Sequence, residues 1–390
     1  MIPVSEALAH LFALVTPLGV QTVPLRAAAG RVLARDVAAT RTQPPFDASS
    51  MDGYALRRAE AEPDAMFKVV GEAAAGHGFA GTVGPGQAVR IFTGAPVPAQ
   101  TDFIVIQEDV TRRGDVITLN RDLDTKDNIR PAGGDFSAGD PMAAPRRLGP
   151  SDVALLAAMN IAAVPVFRQP VVAILATGDE LVMPGETPGP DQIIASNSFG
   201  LAAQLEAAGA RTRLLPIARD TSASLTTAFG LAASADLIVT IGGASVGDHD
   251  LVAPVAAQLG MAQSFYKVAM RPGKPLMAGR LGDVPMIGLP GNPVSAMVCG
   301  TIFVLPMIRA MLGLDAAPAP RREAPLAAGI AANGPREHYM RAHLGEAGLT
   351  VFDRQDSSLL SVLAQANALV VRPPLDPARA AGALVSYLPL

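Results

Sequence analysis

Three apolar runs set the limits on how this chain can fold. Residues 170–176 (PVVAILA), 236–241 (DLIVTI) and 284–289 (VPMIGL) are almost unbroken in hydrophobic side chains. A strand with one face in water alternates polar and apolar residues. A continuous run marks a strand covered on both faces. Helical patterns at 197–208, 221–233, 251–259 and 292–311, and a further strand at 213–217, surround the three runs. Alternating strands and helices predict a doubly wound α/β domain built on a parallel sheet. Ligands of such sheets sit outside the carboxyl ends of the strands.

The three runs end alike. TGDE follows the first at 177–180, GGASVGDHD the second at 242–250, and PGNP the third at 290–293. Loops after strands of one sheet converge on one rim. Glycines there let a ligand reach backbone N–H groups. A helix with Asn292 as N-cap and Pro293 at its first position points its positive end at the rim. Asp179, Glu180, Asp248 and Asp250 are hard oxygen donors of the kind that hold Mg²⁺ against phosphate. Between the loops in sequence, KVAMRPGKP at 267–275 supplies cations that clamp an oxyanion. Each carboxylate alone is also an ordinary turn residue; together the loops predict a phosphate-bearing ligand with Mg²⁺.

The flanks read differently. Apolar residues at helical spacing over 4–15 predict an N-terminal helix. From 21 to 149 short apolar runs (67–70, 89–92, 102–106, 116–119) alternate with Gly/Pro turns, an all-β pattern. A helix is expected at 151–160, with Ser151 as N-cap and Asp152 in its first turn. The Pro-rich segment 316–322 leads to a small β domain.

Composition excludes several function classes. With 31 basic and 35 acidic residues the 390-residue chain carries a net charge of −4, so it does not bind nucleic acid through bulk positive charge. Cys299 is the only cysteine, which excludes an intrachain disulfide and a cysteine zinc site. The apolar stretch 296–308 is shorter than the roughly 18 residues of a membrane span. The N-terminus lacks the basic region of a signal peptide. A soluble, cytoplasmic protein is expected, with no membrane partner.

Two short motifs suggest other chemistries. GHGFAG at 76–81 matches GxGxxG but lacks the flanking strand and helix of a dinucleotide site, so it reads as a β-turn. GASVG at 243–247 matches GxSxG between a strand and a helix, which would make Ser245 a hydrolase nucleophile, with His338 or His343 downstream. No HGGG-type oxyanion segment accompanies it.

Six motifs together resemble the molybdopterin molybdenumtransferase family (MoeA-like proteins and the C-terminal domain of gephyrin). They are PPFDASSMDGYA at 44–55, TGAPVP at 93–98, ATGDEL at 176–181, GGASVG at 242–247, PGKP at 272–275 and GLPGNPVSA at 288–296. The resemblance covers nearly the whole chain. It implies a multidomain subunit of α/β plus all-β type. An N-terminal helix (1–18) packs with the α/β domain. A linker-type domain is formed by 19–40 and 139–166. A β-rich domain (41–138) carries MDGYA and TGAPVP. A molybdopterin-binding α/β domain spans 167–315 and a C-terminal β domain 316–390. The implied reaction inserts molybdate into adenylylated molybdopterin and releases AMP, with Mg²⁺. The implied assembly is a homodimer whose cleft lies between the α/β domain of one subunit and the β domain of the other. A molybdopterin adenylyltransferase is the implied supplier.

Residues carry over where the motifs match. Asp52, Thr93, Asp135, Glu180, Asp220, Asp250, Lys267 and Lys274 match cleft residues, with Glu180 and Asp250 as metal ligands. Thr177, Gly178, Gly242, Gly243, Ser245, Arg271, Pro290, Gly291, Asn292 and Pro293 match the pterin-binding loops. Lys274, Pro275, Arg341 and Ser357 match a molybdate site. Arg271 stands where many relatives have Lys, and Asp356 where many have Gly. A scaffold of the gephyrin kind would not need the full carboxylate–lysine set, which is present here.

Overall fold

The computed structural model describes residues 1–243 and 251–390. Its centre is a six-stranded sheet in the order Arg211–Leu214, Val171–Ala176, Leu237–Ile241, Val284–Leu289, Met277–Leu281, Met261–Tyr266. The first four strands run parallel. Leu237–Ile241 is buried along its whole length, as its unbroken apolar sequence requires. Helices Asn197–Ala207 and Ser222–Ala232 close the crossovers between the parallel strands, and Val252–Gln258 precedes the edge strand Met261–Tyr266. One core cluster covers each face of the sheet.

Several expectations needed correction. The strand expected at 213–217 lies earlier, at Arg211–Leu214. The sheet is not parallel throughout, because an antiparallel hairpin, Met261–Tyr266 with Met277–Leu281, extends one edge. Its register has a consequence for the site. Met277 pairs with both Tyr266 and Gly288, so the hairpin's connection emerges at the carboxyl end of Val284–Leu289. That connection is the cationic segment 267–275, and pairing geometry alone brings it to the rim.

The long helix is also interrupted. It runs Pro293–Cys299, passes through a π-helical stretch at Gly300–Val304, and resumes at Leu305–Met311. Pro306 has no N–H for the carbonyl one turn back, and its ring crowds that turn, so the ladder widens before it. Taken as one 19-residue helix, Pro293–Met311 is apolar enough to cross a membrane, but 83% of that window is buried inside this fold, as in a core helix. At the other expected cap, Pro150 occupies the first helical position and Gly149 precedes it. Asp152, not Ser151, closes the end by accepting from the Gly149 N–H at 2.8 Å.

Helix Val4–Leu14 buries Val4, Ala7, Leu8 and Leu11 in the cluster that backs the central sheet. Strands Val20–Pro24, Val32–Leu33, Arg146–Arg147 and Ala163–Phe167 form a small sheet. Residues 53–119 contribute a six-stranded sheet in which Gly53–Leu56 lies between Phe103–Ile106 and Gln87–Ile91. The C-terminal sheet is built on Glu337–Gly345, Ala368–Arg372 and Leu384–Pro389. It also takes in Met270–Arg271 from the rim segment, parallel to Glu337–His338. GHGFAG is a turn: Ala74 and His77 exchange backbone hydrogen bonds.

Candidate active site

The rim is assembled by backbone first. Thr177 N–H donates to the Ile241 carbonyl, and Gly242 N–H to that of Leu289, both at 3.1 Å. These bonds draw the ends of the three buried strands together. Gly242 has φ +95°, and a Cβ there would lie 2.8 Å from the Thr177 carbonyl oxygen. No L side chain fits that approach without moving the backbone. A Cβ on Gly291 would lie 3.5 Å from the Gly242 Cα, so the third loop touches the second.

These loops enclose a cavity of about 710 Å³. It is lined by Thr177, Gly178, Glu180, Asp220, Gly242, Gly243, Pro275, Pro290, Gly291, Asn292 and Pro293, all expected at the site. Glu180 folds its carboxylate back over Gly178. A Cβ on Gly178 would meet Glu180 Oε2 at 2.3 Å, and at φ +146° only glycine sits easily. Asp179 works in the frame: its Oδ1 accepts from the Asp220 N–H at 3.2 Å, tying the first loop to the one after Arg211–Leu214. Among the described residues the buried Thr177 hydroxyl has no partner, a polar group at the cavity wall. Asp248, Asp250 and Ser245 lie outside the described residues. Glu180 and Asp220 suit a divalent cation that takes one or two carboxylates and completes its shell with water and substrate phosphate, as Mg²⁺ does.

Asn292 stands at the N-cap position, but its side chain makes no cap bond. The Val294 N–H is taken by the Ser357 carbonyl at 3.0 Å, which docks the C-terminal sheet on the helix start and leaves the Asn292 amide to the cavity. Ser357 acts through its backbone, and its neighbour Ser358 lines the cavity instead. Asp356 does not set a loose negative charge there. Its Oδ1 accepts from the Ser358 N–H (2.9 Å) and hydroxyl (2.6 Å), and these bonds hold its carboxyl below the usual range.

Arg341 is placed otherwise than the molybdate assignment expects. It is 1% exposed, and its Nη1 donates to the Asp356 carbonyl at 2.9 Å and the Leu359 carbonyl at 3.4 Å. Its place is that of a brace for the loop bearing Ser357 and Ser358. The exposed cations are Arg271 and Lys274, with Lys267 half-buried. Among the described residues none of the three makes a salt bridge, which leaves their charge for a ligand. The Lys267 Nζ sits 4.9 Å from the Tyr266 ring centre.

The second group of residues is elsewhere. Asp52 Oδ1 accepts from the Thr93 N–H at 2.8 Å and the Thr93 hydroxyl at 2.7 Å. MDGYA and TGAPVP, 41 residues apart, thus meet through one carboxylate oxygen. The two Thr93 bonds, then the Arg90 charge, hold the Asp52 carboxyl below its ordinary value. Ala48–Ser49 pairs with Ile129–Arg130 and receives the Gly94 N–H on the Ser49 carbonyl. The Asp135 N–H donates to the Gln43 carbonyl, and its side chain is exposed. Among the described residues, every hydrogen bond of Asp52, Thr93 and Asp135 stays within residues 41–138. Phe46, before the strand Ala48–Ser49, and Met51, beside Asp52 after it, are 40% and 42% exposed.

His338 is a poor base for Ser245. It is buried, and burial and then Arg271, Arg372, Arg336 and Arg341 push its imidazole down to about 4. His343 lies on an exposed position of the C-terminal sheet.

Fold and site define a class: an α/β domain whose glycine-lined rim opens on a cavity bearing Glu180 and Asp220, flanked by β-rich regions on both sides. Family models match in the same order. "MoeA N-terminal region (domain I and II)" covers residues 2–160, "Probable molybdopterin binding domain" 173–310, and "MoeA C-terminal region (domain IV)" 323–390. A molybdopterin molybdenumtransferase 2 of Mycobacterium tuberculosis is 36% identical over 367 residues, 90% of each chain. A molybdopterin molybdenumtransferase of Bacillus subtilis is 34% identical over 95% of this chain and 90% of its own. The solved molybdopterin biosynthesis moeA protein of Pyrococcus horikoshii aligns over 100% of both chains with a TM-score of 0.86 at 26% identity. The chain belongs to the molybdopterin molybdenumtransferase family.

Proposed function

We propose that the protein is the transferase that inserts molybdate into adenylylated molybdopterin and releases AMP, completing molybdenum cofactor. The observation that carries this reading is one cavity where the backbones of Gly178, Gly242 and Gly291 meet the carboxylates of Glu180 and Asp220. The Gly178 and Gly242 N–H groups are spent on the Ala218 and Leu289 carbonyls and shape the wall, so the backbone donors offered to the anionic end of the pterin are those of Gly243 and Gly291. Mg²⁺, held by Glu180 with Asp220 beside it, would neutralise phosphate oxygens. Arg271, Lys274 and Lys267 gather molybdate as substrate beside the dithiolene, where proximity supplies much of the rate. Asp52, kept ionised by Thr93, orients water or metal at the adenylate phosphate. An oxygen of molybdate or of water attacks the adenylate phosphorus as the anhydride P–O bond to the pterin phosphate breaks. The two dithiolene sulfurs displace oxygen from molybdenum. That oxygen leaves within AMP if molybdate attacked, and otherwise as water carrying the thiol protons, and AMP departs.

The subunits work as a homodimer in this reading. Among the described residues Asp52, Thr93 and Asp135 bond only within their own β-rich region, and exposed Phe46 and Met51 in that region favour a protein-covered position. The β-rich region of one subunit then closes the rim of the other. A cytoplasmic location and supply by a molybdopterin adenylyltransferase belong to the same reading. The test is a single-turnover assay with purified protein, adenylylated molybdopterin, Mg²⁺ and molybdate. Molybdate-dependent AMP release with molybdenum retained on the pterin supports it. Binding without turnover would make the protein a carrier or scaffold.

A further inference from the structure

Arg90 is a cation that none of the sequence motifs singles out. It lies on Gln87–Ile91, three residues before Thr93, with its Cα paired to Tyr54 across the sheet. Its guanidinium carbon sits 5.1 Å from the Tyr54 ring centre and 4.7 Å from that of Phe92. Nη1 donates to the Gly53 carbonyl at 3.2 Å and Nη2 to Gln107 Oε1 at 2.7 Å. Two rings and two neutral acceptors therefore fix the plane of the fork without cancelling its charge. Among the described residues Arg90 makes no salt bridge, and the carboxylate whose ionisation it favours is Asp52. Structural surface arginines are commonly spent on carboxylates, as Arg168 is on Asp236 here, with bonds of 2.6 and 2.7 Å. A pinned, uncancelled guanidinium beside a reacting carboxylate has the geometry that grips a phosphate.

We propose that Arg90 is a substrate-binding residue that holds the adenylate phosphate beside Asp52. This rests on the transferase reading. On it, Asp52 and Arg90 make one two-signed seat: the cation binds the phosphate, and the carboxylate serves the water or metal next to it.

The test uses the full-length protein, with Arg90→Gln, Arg90→Lys and Gln107→Ala. Two quantities are read: KM and kcat for AMP release, and the affinity for AMP with Mg²⁺ by calorimetry. Loss of one charge-assisted contact weakens binding about 10- to 100-fold. Arg90→Gln should therefore raise KM by that factor and weaken AMP to match, with kcat changed far less. Arg90→Lys keeps the charge but loses the fork, so its KM should fall between. Gln107→Ala frees the fork and should raise KM a few-fold; this variant and Arg90→Lys decide the matter if Arg90→Gln does not fold. A KM and AMP affinity within about twofold of wild type, or a fall in kcat alone, would make Arg90 a structural brace and overturn the proposal. If wild type binds AMP but never releases it from the adenylylated pterin, the transferase reading fails while the AMP comparison still judges Arg90. Absence of AMP binding by wild type would overturn both.

Discussion

The two halves of the candidate site are built in opposite ways. At the α/β rim the backbone does the work: strand ends are drawn together, and positions such as Gly242 exclude any side chain. In the β-rich region side chains do it. Asp52 and Thr93 close a contact across loops, and Arg90 is seated by rings and an amide. A backbone site should fail through shape, whereas a side-chain site should fail through charge.

Asp52→Asn breaks the comparison most sharply if it is mild. Removing one preorganised charge at a reacting centre costs about 10²–10³-fold in kcat. Because Asp52 is on the surface, the melting temperature should stay near wild type. A large drop in melting temperature would place Asp52 among structural residues. Gly242→Ala should act the other way. Strain at that φ is worth about 1–3 kcal/mol, and the displaced backbone should raise KM for the pterin and lower stability together. Equal kcat losses from both variants would erase the distinction.

Two pH measurements sharpen it further. The native His338 imidazole stays neutral down to about 4, while the unfolded chain protonates near 6.5. The unfolded state then binds more protons across that window, so stability should fall as pH falls from 6.5 towards 4. Urea titrations of His338→Gln should show a flatter dependence. The smallest effect is expected from Thr93→Val. It removes the hydroxyl bond but keeps the backbone bond that contributes more. The Asp52 carboxyl should move part of the way back towards its ordinary value, shifting the acid limb of kcat/KM to higher pH. An acid limb that does not move would detach Asp52 from the rate.

Much of the rim was legible because it follows from chain geometry. Buried parallel strands write themselves as apolar runs, and glycines at their ends mark where backbone is exposed. The antiparallel hairpin was missed. Met261–Tyr266 is only partly covered and Met277–Leu281 contains Gly279 and Arg280, so neither reads as a buried strand. Ser358 lines the cavity where Ser357 was expected, and Arg341 braces the loop beneath, because a loop's side chains face according to local turns, here the Asp356–Ser358 bonds. In the β-rich region periodicity located strands but no chemistry. Asp52 and Thr93 were found through the family resemblance alone, since a contact between distant loops leaves no spacing signal. Arg90 left none either, because its meaning comes from two rings and Gln107 on three different segments.

The central claim is that these two unlike regions, one from each subunit, make one active site. Mixing two inactive proteins, Asp52→Ala and Lys274→Ala, and allowing subunits to exchange tests it directly. Half of the randomly mixed dimers are heterodimers, and each would hold one intact site of two. Activity should return to about a quarter of wild type. If the mixture stays inactive while exchange is verified, Asp52 and Lys274 act within one subunit and the account is wrong.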